Sequence, residues 1–203
     1  MSKIEISVII SVYNHEKYIA RCIRSLISQS FNLSNFEIIV VNDGSDDNTS
    51  KILEAFSEDI IIINNDINLG LPTSLNIGIK KAKGRYIVRV DSDDYVNTDF
   101  LKILYLHVSS NKEFFDAYAC DYVEVDEEEN ILKRCDCQIH PIACGIIFNI
   151  NHIIDIGLYN ENFFIDEEIE MRKRFEKKYK IGRVQLPLYR YRKHETNMTN
   201  FRK

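Results

Sequence analysis

The stretch YIVRVDSDDYVN, residues 86–97, ends an apolar run with three carboxylates in four positions: Asp91, Asp93 and Asp94. Like charges this close repel one another, so cations or hydrogen-bond donors must compensate them. A divalent cation does so most directly. Oxygen ligands favour magnesium, manganese or calcium over zinc, and a magnesium-like ion held by few carboxylates keeps positions for substrate phosphates. DSDD is thus a candidate metal–diphosphate site, with an Asp-rich loop that caps the next helix through Asx turns as the competing reading. A second loop, VVNDGSDDNTS, puts Asp43 and Gly44 at the end of another apolar run. There Asp43 can accept a hydrogen bond from a base N–H, or simply shape a turn.

The elements that position these loops follow from periodicity. Ile4–Val12, Phe36–Val41, Ile60–Ile63 and Arg85–Val90 are β-branched, apolar runs that read as strands. Between them, Glu16–Ser28, Asn48–Phe56 and Pro72–Ala82 have helical spacing, the last with proline near its start. This alternation predicts an α/β fold with a mostly parallel sheet covered on both faces. Ligands of such sheets bind beyond the carboxyl ends of the strands, where SVYNHE, NDGSDD, NNDINLG and DSDD fall. After Asn97 the rhythm changes: a helix over Asp99–Ser110, strand-like FFDAYACDYVEV, a polar turn at DEEEN and ILKRC suggest an antiparallel or mixed half. Helical patterns return near Asn151–Ile156 and over Glu167–Tyr179, before the strand-like run IGRVQLPLYRYR.

At 203 residues and 45% hydrophobic content, the chain is expected to form one compact domain, with no repeat or Pro/Gly/Ser-rich linker. A net charge of −5 gives no general attraction to nucleic acid, although the last segment, YRYRKHETNMTNFRK, is locally basic and suits an anionic ligand or membrane surface. No apolar run approaches the roughly 20 residues that span a bilayer, and MSKIEISVIISVYN has no signal-peptide layout. A soluble cytoplasmic protein is expected. Five cysteines without CxxC spacing suit a reducing compartment, and the lone CxC of Cys135 and Cys137 reads as solvent-facing or half-buried thiols on a strand, with metal binding as the competing reading.

Taken in order and spacing, SVIISVYNHEKYIARCIRSLISQSF, EIIVVNDGSDDNTSKIL and NLGLPTSLNIGIKKAKGRYIVRVDSDDY resemble the nucleotide-sugar-binding half of family 2 glycosyltransferases with the GT-A fold. The resemblance continues through GIIFNINHIIDIGLYNENF, DEEIEMRKRF and LYRYRKHETNMT, and so covers nearly the whole chain. It implies a donor-binding half over residues 1–97 and a half over 98–203 that binds acceptor and supplies the catalytic base.

The resemblance implies that Ser11, Tyr13, Asn14 and Glu16 contact the nucleoside, although Glu16 equally suits a helix first turn by its charge. It implies that Asp43 recognises the base, usually uracil, and that Gly70 and Asn76 shape the donor pocket, Gly70 by allowing close backbone approach. Relatives commonly carry arginine just before that asparagine, where this chain has Leu75, so a phosphate contact from that position is not expected. DSDD matches the DxD motif: Asp91 near ribose or metal, Ser92 beside it, and Asp93 as main ligand of a manganese or magnesium ion. His194 matches a late histidine that completes the metal or diphosphate site. Glu168 falls at the base position of a helix start where relatives carry aspartate, with Asp166 and Glu167 close enough to compete. An acidic first turn that complements the helix dipole is the plainer account of these residues.

The implied reaction moves a sugar from a nucleoside diphosphate sugar, UDP by preference, to an acceptor hydroxyl with inversion, assisted by Arg192 or Lys193 at the leaving diphosphate. The implied acceptor is a saccharide or lipid-linked saccharide in surface polysaccharide or lipopolysaccharide synthesis, with peripheral contact at the inner membrane face. Two other classes remain: a nucleotidyltransferase, which would want a glycine-rich phosphate loop that the first strand lacks, and a non-catalytic nucleotide-sugar-binding module.

Overall fold

The structure, a computed structural model, describes residues 3–110, 113–163, 165–195 and 197. Four parallel strands come first: β1 (Ile6–Val12), β2 (Phe36–Asn42), β3 (Ile61–Asn64) and β4 (Tyr86–Arg89). The helices between them are α1 (Ile19–Ile27), α2 (Thr49–Glu54) and α3 (Leu71–Lys81). The rest comprises β5 (Tyr95–Val96), α4 (Phe100–Ser110), β6 (Ala117–Val125), β7 (Ile131–Cys135), β8 (Ile146–Asn149), α5 (Ile150–Asp155), α6 (Glu167–Glu176) and β9 (Ile181–Arg192). One sheet runs in the order β3-β2-β1-β4-β8-β6-β9-β5, with β7 beside β6. Its first half is parallel; in the second, β8 is antiparallel to β4 and β6, while β9 runs parallel to β6.

Side chains alternate across a strand, and β1 shows the consequence. Ile6, Val8, Ile10 and Val12 join the core beneath α1, α2 and α4, whereas Ile9 joins the opposite core beneath α3, α5 and α6. Burying both faces accounts for the unbroken apolar runs of these strands. Leu75 is part of that second core, buried to 1% exposure.

Several expectations are corrected. Helix α1 begins at Ile19 rather than Glu16, because residues 13–18 form a turn in which the His15 carbonyl accepts from the Tyr18 and Ile19 amides. Strand β8 was not expected; its four residues run straight into α5, with Asn149 both ending the strand and capping the helix. Cys135 and Cys137 are neither exposed nor half-buried: both are buried, Cys137 just beyond β7. Among the described residues no helix is long and apolar enough to cross a membrane. Part of the basic C-terminal segment, residues 196 and 198–203, lies outside the described residues.

Candidate active site

The chain leaves β1 for β2 on one side and later returns to place β4 on the other. Such a switch point opens a crevice beyond the carboxyl ends of the strands. A cavity of about 400 Å³ lies there, walled by the loops after β1, β2 and β4 and, opposite, by residues 141–144 and 165–168.

Ser11, Tyr13, Asp43, Gly70, Asp91, Ser92, Asp93, Asp166, Glu167 and Glu168 all line this cavity. Asn14, Glu16 and Asn76 are held elsewhere. Asn14, in the left-handed region at φ 53°, exchanges hydrogen bonds with Asp46 at 2.7 and 3.0 Å, and Glu16 accepts from the Asn48 backbone and side chain at 2.8 and 2.7 Å. Both residues therefore tie the first loop to the second. Asn76 is buried and bonds the backbone of Tyr159 in both directions, at 2.9 and 3.0 Å, pinning α3 to the residues before α6.

Asp43 is buried, and its carboxylate accepts from Asn65 Nδ2 at 2.7 Å and from the Leu69 and Gly70 amides at 2.9 Å each. It thus fixes the loop between β3 and α3 against the end of β2. Gly44 is required here: at φ 72° a Cβ would stand 2.5 Å from the Ile67 carbonyl carbon. Gly70 is needed for a different reason than close approach, since a Cβ would meet nothing nearer than 4.0 Å while its φ of 91° suits glycine alone.

The three aspartates of DSDD have three environments. Asp91, with 28% of its side chain exposed, pairs with Arg89 at 2.8 Å. Asp93 Oδ2 lies 2.9 Å from His194 Nε2. Burial pushes the Asp93 carboxyl up, but the hydrogen bond to His194 and the nearby His15 outweigh it and hold the group below its ordinary value. His194 is buried behind Asp93 and stacks on Tyr18, with ring centroids 4.8 Å apart. Asp94 is buried, and burial together with the charges of Asp93 and Asp91 drives its carboxyl well above its ordinary value. It accepts from the Tyr189 hydroxyl at 2.7 Å and the Arg192 amide at 2.8 Å, so it secures β9.

Opposite, Glu167 is buried and bonded to Arg89 at 2.9 Å, whereas Glu168 is half-buried on the first turn of α6, at the cavity wall. Asp166 precedes the helix in the left-handed region at φ 67°. Arg192 is occupied within the protein, donating to the carbonyls of Asp93 and Glu127, and does not line the cavity.

A divalent cation is testable against the donor chemistry. Asp91, Asp94 and Cys144 stand within mutual reach of an ion, but each Asp94 oxygen already accepts a bond, from Tyr189 and from the Arg192 amide, and burial pushes the Cys144 thiol well up. Asp91 and Asp93 both line the cavity and offer the carboxylate oxygens that suit manganese or magnesium, and His194 stands against Asp93.

Sequence reasoning missed Arg89, His15 and the wall of Pro141, Ile142, Ala143 and Cys144. Arg89 carries a signal, being a charge inside an apolar strand. His15, whose Nδ1 lies 2.7 Å from Ser92 Oγ, is marked only by its place in SVYNHE. The wall has none.

A parallel half with acidic loops at its switch point, extended by a mixed half, defines the GT-A class of α/β architecture, as the sequence predicts. The chain belongs to glycosyl transferase family 2, whose family model matches residues 7–181. Glycosyltransferase GlyA of Streptococcus pneumoniae is 36% identical over 130 residues, covering 63% of this chain and 18% of that protein. TarS of Staphylococcus aureus, a poly(ribitol-phosphate) beta-N-acetylglucosaminyltransferase, is 39% identical over 99 residues, covering 47% of this chain and 17% of TarS. The fold matches the crystal structure of TarS residues 1–349 in complex with UDP-GlcNAc with a TM-score of 0.86 at 22% identity, over 98% of this chain and 62% of that one. Mannosyltransferase PcManGT from Pyrobaculum calidifontis, in complex with GDP-Man and Mn2+, gives 0.77 at 15% identity, over 99% and 60%. This chain spans only a fraction of the length of the curated relatives it matches.

Proposed function

We propose that this chain is one domain that transfers a sugar from a UDP-sugar to a hydroxyl of a saccharide or lipid-linked saccharide, with inversion, in surface polysaccharide synthesis. One observation carries this reading: a single cavity brings together the Asp43 loop and DSDD on one side and Glu168 on the other. The Asp43 carboxylate accepts three bonds from the protein, which leaves one of its roughly four acceptor positions for a uracil N–H. Tyr13, 44% exposed at the mouth, covers base or ribose. The preference for uridine rests on TarS, which binds UDP-GlcNAc.

Asp93 and His194, with Asp91, would hold a manganese or magnesium ion, and bound there it would neutralise charge on the leaving diphosphate. Glu168 is the general base. Glu167 is committed to Arg89, while Glu168 reaches the cavity from the helix start. Its carboxylate takes the acceptor hydroxyl proton as the new C–O bond forms, and the anomeric carbon's bond to the diphosphate breaks with its electron pair leaving on phosphate. The apolar wall of Ile142, Ala143 and Ile165 excludes water and faces the acceptor. The reaction is assigned to the cytoplasmic side, with peripheral membrane contact when the acceptor is lipid-linked.

The test is UDP release from UDP-GlcNAc with Mn2+. Glu168→Gln should lower its rate by about 10² to 10⁴-fold while UDP still raises the unfolding temperature. Turnover equal to wild type contradicts the assignment of the base.

A further inference from the structure

Arg89 ends a parallel strand, with only 9% of its side chain exposed, and lines the cavity. Its guanidinium joins two elements far apart in sequence. Nε donates to Asp91 Oδ1 at 2.8 Å and Nη2 to Asp91 Oδ2 at 3.4 Å, while Nη1 donates to Glu167 Oε1 at 2.9 Å. The same fork lies over the Tyr159 ring, 6.0 Å from its centroid. Tyr159 in turn is pinned to α3 through Asn76.

Without a cation between them, the acidic loop and the acidic first turn of α6, which carries Glu167, Glu168 and Glu170, would repel across a poorly solvated wall. A planar, permanently charged fork can hold two carboxylates in fixed directions; a lysine or a water cannot.

We propose that Arg89 is a positioning residue for sugar transfer: by holding Asp91 and Glu167 on one guanidinium, it sets the distance between the donor loop and Glu168. This rests on the donor-site reading above. It adds that the two halves of the site are coupled through one side chain that touches neither reacting atom. A displacement of about 1 Å at such a site costs on the order of 10²-fold in rate.

The test compares wild type, Arg89→Met, Glu167→Gln and the double variant. The first readout needs no donor: hydrogen exchange of the Ile169 and Glu170 amides, which bond the Asp166 carbonyl, should accelerate at least about tenfold in Arg89→Met while β1 and β2 stay protected. The second is UDP release from UDP-GlcNAc with Mn2+. In Arg89→Met kcat should fall about 100-fold with KM for donor within about threefold of wild type, and the double variant should be no slower than Arg89→Met. The double variant removes the buried charge together with one partner, so it serves if Arg89→Met does not fold. Unchanged exchange at α6, losses that multiply in the double variant, or a raised KM with intact kcat each overturn the inference. A wild type that releases no UDP overturns the donor reading alone, and the exchange comparison still decides Arg89.

Discussion

Three carboxylates packed into DSDD look equivalent in sequence, and their partners make them different. Asp93 faces the cavity with His194 behind it, Asp91 leans on Arg89, and Asp94 is turned away to dock β9. Tyr189 makes that docking bidirectional: its hydroxyl donates to Asp94 and accepts from the Asp91 amide at 3.1 Å. Tyr189→Phe should therefore cost about 1–3 kcal/mol of stability, because a buried acceptor and a backbone donor lose their partner. Urea unfolding measures this, and a loss below about 0.5 kcal/mol would contradict the role given to the hydroxyl. At this scale residue types were legible and partners were not. The charge at position 89 stands out within YIVRV, but nothing in the sequence marks Glu167, 78 positions later, as its counterpart.

Among the elements, the four parallel strands were legible because each is a β-branched run closed by a polar loop. Strand β8 was hidden because its four residues continue without a break into α5, and β5 because a two-residue strand paired with β9 is too short to show a period. The parallel pairing of β6 with β9 was also hidden. Pro187 lacks an amide to donate, and it falls opposite Asp121, where the register shifts. Asp121 lies buried at that irregularity and accepts from Arg183 at 2.7 and 2.8 Å and from the Cys137 amide at 3.2 Å. Burial pushes its carboxyl up, but these bonds and the Arg183 charge outweigh that and lower it below its ordinary value. A carboxyl depressed on folding stabilises above its unfolded pKa of about 3.9, and that contribution fades as pH falls through the folded value. Asp121→Asn should cost about 1–3 kcal/mol at pH 7 and less at pH 3, where protonation of the unfolded carboxyl has begun to remove the advantage of the charged form. Equal losses at both pH values, by urea titration, would contradict this account.

Across the whole molecule, the halves before and after Asn97 share one sheet, and the cavity sits where their loops meet. The donor loops were legible in order and spacing. The apolar wall of 141–144 was not, because it depends on how β7 and β8 hold the segment between them. Burial of all five cysteines has a consequence at this scale too. With Cys137 pushed up to about 12 by burial, and Cys22 and Cys144 well above their ordinary values, native protein should resist alkylation by iodoacetamide until it unfolds. Rapid labelling of native protein, read by mass spectrometry, would contradict that packing. The central claim is that this cavity holds a metal-bound nucleoside diphosphate. Thermal unfolding of wild type and Asp93→Ala with UDP, with and without Mn2+, tests it most directly. Wild type should gain about 5–10 °C at UDP near a hundredfold over Kd, only when Mn2+ is present, and Asp93→Ala should gain nothing. No shift in wild type, or an equal shift in Asp93→Ala, would contradict the account.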